Sequence, residues 1–230
     1  MPPSSDSPID NPPRPRERGI ALGFDTLADA ELVAVLLGTG EKGRPVSHVA
    51  AALLDQCGGL GGLYRTGSHA LAAASGVGLA KAARIAAGFE LGRRLALASM
   101  GPRPAFPSSD EVARWGRIRL SQLDHEQVWV LSLDGKNGLR GARRVAEGGL
   151  HGCSLQPRDV LRAAVRDAAS AFVLLHNHPS GDPKPSPEDV ELTANVARAA
   201  SVIGTPLVDH VIIGGTEHAS LFDLGILVHG

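Results

Sequence analysis

The apolar positions of this chain change their spacing once. From Gly19 to about Ser99 they are mostly alanine and leucine at three- and four-residue intervals, the period of a helix face. Within that stretch, Asp25-Thr26-Leu27-Ala28-Asp29 predicts the opening of a helix that runs through Val33 to Leu37 and stops at Gly38-Thr39-Gly40. Val46 to Cys57 predicts a second helix, stopped by Gly58-Gly59. A short piece near His69 to Ala74 then precedes a last helix from Leu79 to Leu97. Residues 19–100 therefore predict a small all-α domain, and the proline- and glycine-rich stretch at 101–108 predicts a linker.

Beyond the linker the period alternates. Ser109 to Leu120 predicts a helix, and Glu126 to Leu133 a strand that ends in the turn Asp134-Gly135-Lys136-Asn137-Gly138 and leads into a second strand. Pro157 to Ala169 predicts an amphipathic helix, Ala171 to Leu175 a buried strand, Pro187 to Val202 a helix and Leu207 to Ile213 another strand. Helices and strands alternating around one sheet make residues 109–230 an α/β domain.

Composition adds two things. Residues 1–18 hold six of the sixteen prolines and almost no aliphatic side chains, which predicts a disordered tail. A net charge of −1 gives no global field to attract nucleic acid or anionic lipid. The two cysteines, Cys57 and Cys153, lie far apart, and no apolar run is long enough to span a bilayer, so a cytoplasmic protein with no membrane partner is expected.

Candidate chemistry is concentrated after the strand Ala171–Leu175, in His176-Asn177-His178-Pro179. Side chains alternate along an extended strand, so His176 and His178 project to one face while Asn177 points to the other. The Pro/Gly-rich residues that follow turn the chain back toward Ser186-Pro187-Glu188-Asp189. That string reads as a helix start: serine at the N-cap, proline next, acids in the first turn. Asp189 is the simplest third ligand. Ser186 with Asp189 would also serve as an ordinary capping box. Two imidazoles, one carboxylate and an open position are the pattern of a catalytic zinc site, one Zn2+ per chain, and ligand type favours zinc over iron or manganese.

The spacing His176-x-His178-Pro179 followed by Ser186-x-x-Asp189 resembles the JAMM motif of MPN-domain metallopeptidases. The fuller string His176-Asn177-His178-Pro179-Ser180-Gly181-Asp182 resembles the RadC family, as do Pro157-Arg158-Asp159-Val160 and Asp209-His210-Val211-Ile212-Ile213-Gly214. Where that family often has His-Pro-Arg this chain has Gln156-Pro157-Arg158, and Cys153 stands where serine is common. The resemblance implies an MPN fold with a central mixed sheet flanked by helices. It also implies metal-assisted hydrolysis of an amide or isopeptide bond in a peptide substrate. Position in the family points to Glu126 as general base, with Glu147, Asp124 and Glu188 left open, and to Ser186 as a hydrogen-bond donor to the oxyanion. His210 is either an orienting neighbour of the ligands or a satisfied core histidine.

In the helical half, Gly76-Val77-Gly78-Leu79-Ala80-Lys81 resembles the turn of a helix-hairpin-helix DNA-binding module, although serine stands at 75 where proline is usual. Gly76 and Gly78 would let a phosphate approach the helix N-terminus and Lys81 would add charge, giving contacts independent of base sequence. The same Gly-x-Gly is also an ordinary tight turn. The alternatives to a hydrolase are thus a DNA-associated accessory protein of repair or recombination, and a metal-dependent nuclease.

Overall fold

The computed structural model describes residues 13–101, 103–148 and 155–228. The chain forms two compact units, one ending at Leu91 and the other beginning at Gly92.

The first unit is helical: α1 (Pro15–Leu22), a 3-10 turn (Phe24–Thr26), α2 (Asp29–Leu37), α3 (Val46–Cys57), α4 (Leu60–Arg65), α5 (Ser68–Ala73) and the first turns of α6 (Gly78–Ser99). Their inward stripes meet in one core built on Val33, Leu37, Val49, Leu53, Leu63, Val77 and Ile85. Residues 1–12 of the expected tail lie outside the described residues. Pro15 to Arg18, which the composition assigned to that tail, instead open α1. Pro15 sits in the first turn, the Glu17 carboxylate accepts from the Arg14 backbone N–H at 3.1 Å, and Arg18 pairs with Glu31 of α2. These contacts compensate for the lack of aliphatic side chains. A helix at α4 was not expected either, because Gly61 and Gly62 mask it. It is held by burial of Leu63.

The division falls inside α6 and not at residues 101–108, because Leu97 and Met100 pack against the core of the second unit. That unit contains α7 (Ser109–Leu120), β1 (Gln127–Leu133), β2 (Leu139–Glu147), α8 (Pro157–Arg166), β3 (Ala171–Asn177), α9 (Pro187–Val202), β4 (Leu207–Gly214) and β5 (Glu217–Ser220). The strands form one mixed sheet in the order β2-β1-β3-β4-β5. β3 and β4 are parallel and the other pairs antiparallel. α8 stops earlier than its apolar period suggests because Ala168 takes a φ of 49°, which ends the helix before β3. β5, four residues long, was too short for its pattern to register.

The sheet is covered on both faces. Val128, Val130, Phe172, Leu174 and Ile212 pack under α8 and α9. Leu131, Leu133, Val173, Leu175, Val211 and Ile213 pack under α7. β3, paired on both sides, therefore reads as a continuous buried run. The alternation carries His176 to the α9 face, following Phe172 and Leu174, and sends Asn177 to the other.

Candidate metal centre

Three pieces of chain bring the ligands together. β3 delivers His176 at full burial. The backbone N–H of His178 bonds the Ile213 carbonyl at 2.8 Å, which keeps the chain extended one step past the strand. The turn then presses Asp182 and Pro183 against Gly214 at the end of β4. A side chain at 214 would meet Pro183 N at 2.4 Å, so only glycine admits this approach. The gain is that the Asp182 carbonyl faces His178 Nδ1 at 2.8 Å.

α9 supplies the third ligand through its cap. The Ser186 hydroxyl accepts from the Asp189 N–H at 3.1 Å, and the Asp189 carboxylate accepts from the Ser186 N–H at 2.8 Å and from the Ser186 hydroxyl at 2.7 Å. This reciprocal box fixes Asp189 in the first turn of α9, fully buried. His176 Nε2 lies 2.9 Å from His178 Nε2 and 3.3 Å from Asp189 Oδ1, and His178 Nε2 lies 3.4 Å from Asp189 Oδ2. The edge of a tetrahedron of zinc ligands with bonds of about 2.0–2.1 Å is about 3.3 Å, so the spacing suits that ion. Asp189 Oδ1 is buried without a hydrogen-bond partner, a costly state that a cation would relieve.

Charge at the site is polarised. Burial, reinforced by the neighbouring His210, holds His176 well below the usual histidine range, so it is neutral. Burial alone would push the Asp189 carboxyl up. The His178 hydrogen bond, the adjacent His176 and the Ser186 donors outweigh it and hold Asp189 well below the usual carboxylate range. His178 is raised, first by its hydrogen bond to Asp189, then by the Asp182 carbonyl and the charges of Asp189 and Glu126. The set is one carboxylate facing two imidazoles, of which His176 is held neutral.

Comparison with known proteins agrees with this geometry. Residues 106–226 match the family described as RadC-like JAB domain, and residues 8–83 match the family described as UPF0758 N-terminal. The UPF0758 protein of Desulforudis audaxviator is 41% identical over 208 residues, 90% of each chain. That of Desulfitobacterium hafniense is 40% identical over 213 residues, 93% of this chain and 94% of the other. That of Leptothrix cholodnii is 40% identical over 214 residues, 93% and 96%. The chain belongs to the RadC family.

Glu126 is half-buried and immediately precedes β1. Val128 pairs with His176, and that register continued by two residues sets Glu126 opposite His178. Its charge acts on His178. Asn177, on the face away from the two histidines, brackets Glu126: its side chain accepts from the Gln127 N–H at 2.9 Å and donates to the His125 carbonyl at 3.0 Å. The other open candidates are engaged elsewhere or exposed. Glu147 bonds His125 and Arg144, Asp124 bonds His125, and Glu188 is exposed. His210 is fully buried on β4, with its Nε2 2.8 Å from His176 Nδ1. Thr193 of α9, which no motif marked, touches His210 Nδ1 at 2.6 Å. Cys153 and the stretch at 149–154 lie outside the described residues.

In the helical unit, Gly76 and Gly78 take φ of 80° and 67°, and Val77 between them is buried in the core. Lys81 donates to the carbonyls of Gly76 at 2.7 Å and Gly40 at 3.2 Å. Its ammonium braces the turn. No helix among the described residues is long and apolar enough to cross a membrane.

Proposed function

We propose that this RadC-family protein is a metal-dependent hydrolase acting on an amide or isopeptide bond. The observation that carries the reading is the convergence of His176 Nε2, His178 Nε2 and the Asp189 carboxylate within 2.9–3.4 Å, with Asp189 Oδ1 left unpartnered. These three residues would hold a zinc ion, which when bound supplies Lewis-acid polarisation of a carbonyl and a water acidified toward pKa ~7.

The chain's own residues account for the rest. Glu126, opposite His178 at the head of β1, takes the proton of the attacking water and returns it to the leaving amine. Asn177 holds the backbone on either side of Glu126 and so fixes where that carboxylate stands. Ser186 gives its hydroxyl proton to Asp189 Oδ2 at 2.7 Å, and a turn about its Cβ–Oγ bond, which leaves the cap bond from the Asp189 N–H in place, redirects that proton to a developing oxyanion.

Metal content measured on the purified protein, wild type beside His178→Ala and Asp189→Ala, tests the reading. About one zinc per wild-type chain is expected, with none in either variant. Peptide and isopeptide libraries then follow, with Glu126→Gln as the variant that keeps metal and loses turnover. A wild-type protein that neither carries nor can be loaded with zinc overturns the proposal.

A further inference from the structure

His176 offers a metal its Nε2 lone pair only if its proton sits on Nδ1. A free neutral imidazole prefers neither arrangement strongly enough to be relied on, and the other ring nitrogen's partner decides. Here that partner is another histidine, which by itself decides nothing, since His210 Nε2 can either donate or accept. The ambiguity is resolved two bonds further on.

The chain of contacts begins at a group with no freedom, the backbone carbonyl of Asp189, which can only accept. Thr193, one turn later on α9, places its hydroxyl 2.6 Å from that carbonyl and therefore donates to it. With its single proton committed, the Thr193 oxygen facing His210 Nδ1 at 2.6 Å must accept, so His210 is protonated on Nδ1. A neutral His210, fully buried with no carboxylate among the described residues bonded to its ring, then presents a bare Nε2. His176 Nδ1, 2.8 Å away, must donate to it. All three side chains are buried, so water offers no competing partner.

We propose that Thr193 and His210 are positioning residues of the metal centre: a directed hydrogen-bond chain from the Asp189 carbonyl fixes His176 with its proton on Nδ1 and its Nε2 lone pair toward the ligand cluster. The chain starts on one member of the cluster and ends on another, since the Asp189 carboxylate stands 3.3 Å from His176 Nε2. α9 thus sets both the position of the carboxylate and the tautomer of the imidazole. The inference rests on the metal-centre reading given above.

Two measurements on the full-length protein test it. Long-range 1H–15N spectra of 15N-histidine-labelled, metal-free wild type at neutral pH are expected to show His176 and His210 both protonated on Nδ1. Zinc affinity by chelator competition is expected to fall about 10–100-fold in Thr193→Val, with Thr193→Ser restoring it and far-UV circular dichroism unchanged in both. Protonation of either histidine on Nε2 in the wild type overturns the chain, whatever the variants do. So does a folded Thr193→Val that binds zinc as tightly as wild type. If the tautomers are as assigned but wild type takes up no zinc, the metal-centre reading fails and the proposed positioning role falls with it. Tight zinc binding with the wrong tautomers overturns the hydrogen-bond chain alone.

Discussion

The two units of this protein are built to different rules of burial. Among the described residues, every buried polar side chain, from Gln127 through Ser132, His176, Asn177, Asp189, Thr193, Asp209 and His210 to Ser220, belongs to the sheet unit. The helical unit buries apolar side chains alone. A buried polar group costs free energy unless its bonds are met. The sheet unit meets nearly all of them: Asp167 takes Arg143 and Ser132, and Asp209 takes Ser220 and two backbone N–H groups. The exceptions are Gln122 Nε2 and Asp189 Oδ1, and the second stands in the ligand cluster. At Asp189 Oδ1 the unmet bond falls among three groups that could hold a cation.

Replacing Asp189 is the strongest way to break this contrast. Asp189→Ala is expected to abolish zinc uptake and, by stripping the cap of α9, to cost about 1–3 kcal/mol of stability in the metal-free protein; elemental analysis and urea unfolding measure the two effects. A matched pair of core truncations sharpens the contrast. Leu63→Ala in the helical core and Leu174→Ala in the sheet should each cost about 2–5 kcal/mol. Hydrogen exchange should localise each loss to its own unit, with zinc content of the folded chains kept in Leu63→Ala.

The titration of buried histidine gives a subtler distinction. His210, pushed from 6.5 down to about 4, and His176, held below the same starting value, stay neutral where the unfolded chain is charged. Their native pKa is lowered, so the unfolded state binds more protons, and stability is lost as pH falls from about 6.5 toward 4, at up to ~1.4 kcal/mol per pH unit for each. His178 is raised, and its contribution changes only above that window. Urea midpoints of metal-free protein at pH 7 and pH 5 should therefore fall. The amides of the helical unit, whose core is apolar, should be spared. The smallest effect belongs to Lys81→Met, expected to cost about 1 kcal/mol in the helical unit through its two carbonyl bonds, read from the same exchange data.

What the sequence made legible was local. His176, His178 and Asp189 could be read because a strand's alternation and a helix cap are rules of a few residues. The N-cap at Ser186 is where those rules place it. α4 escaped because two glycines hide a helix whose stability comes from one buried leucine. Thr193 and the partners of Asn177 escaped for a different reason. Each contact depends on a neighbour that only the sheet order supplies: His210 through the parallel pairing of β3 with β4, and the backbone around Glu126 through the antiparallel pairing of β3 with β1. No single-strand pattern encodes which strand will lie beside it.

The crossover from β3 to α9 has a bearing on the order of assembly. His176 and Asp189 are thirteen residues apart in the chain, whereas Glu126 is fifty residues from His176. Closing the longer loop costs only about 1 kcal/mol more in chain entropy, but it also requires β1 to dock in register. The ligand cluster, drawn from one strand-helix segment and braced by β4, can thus form while the carboxylate that would do proton transfer is still absent. In a nascent or partly unfolded chain, capture of an ion would precede the ability to use it.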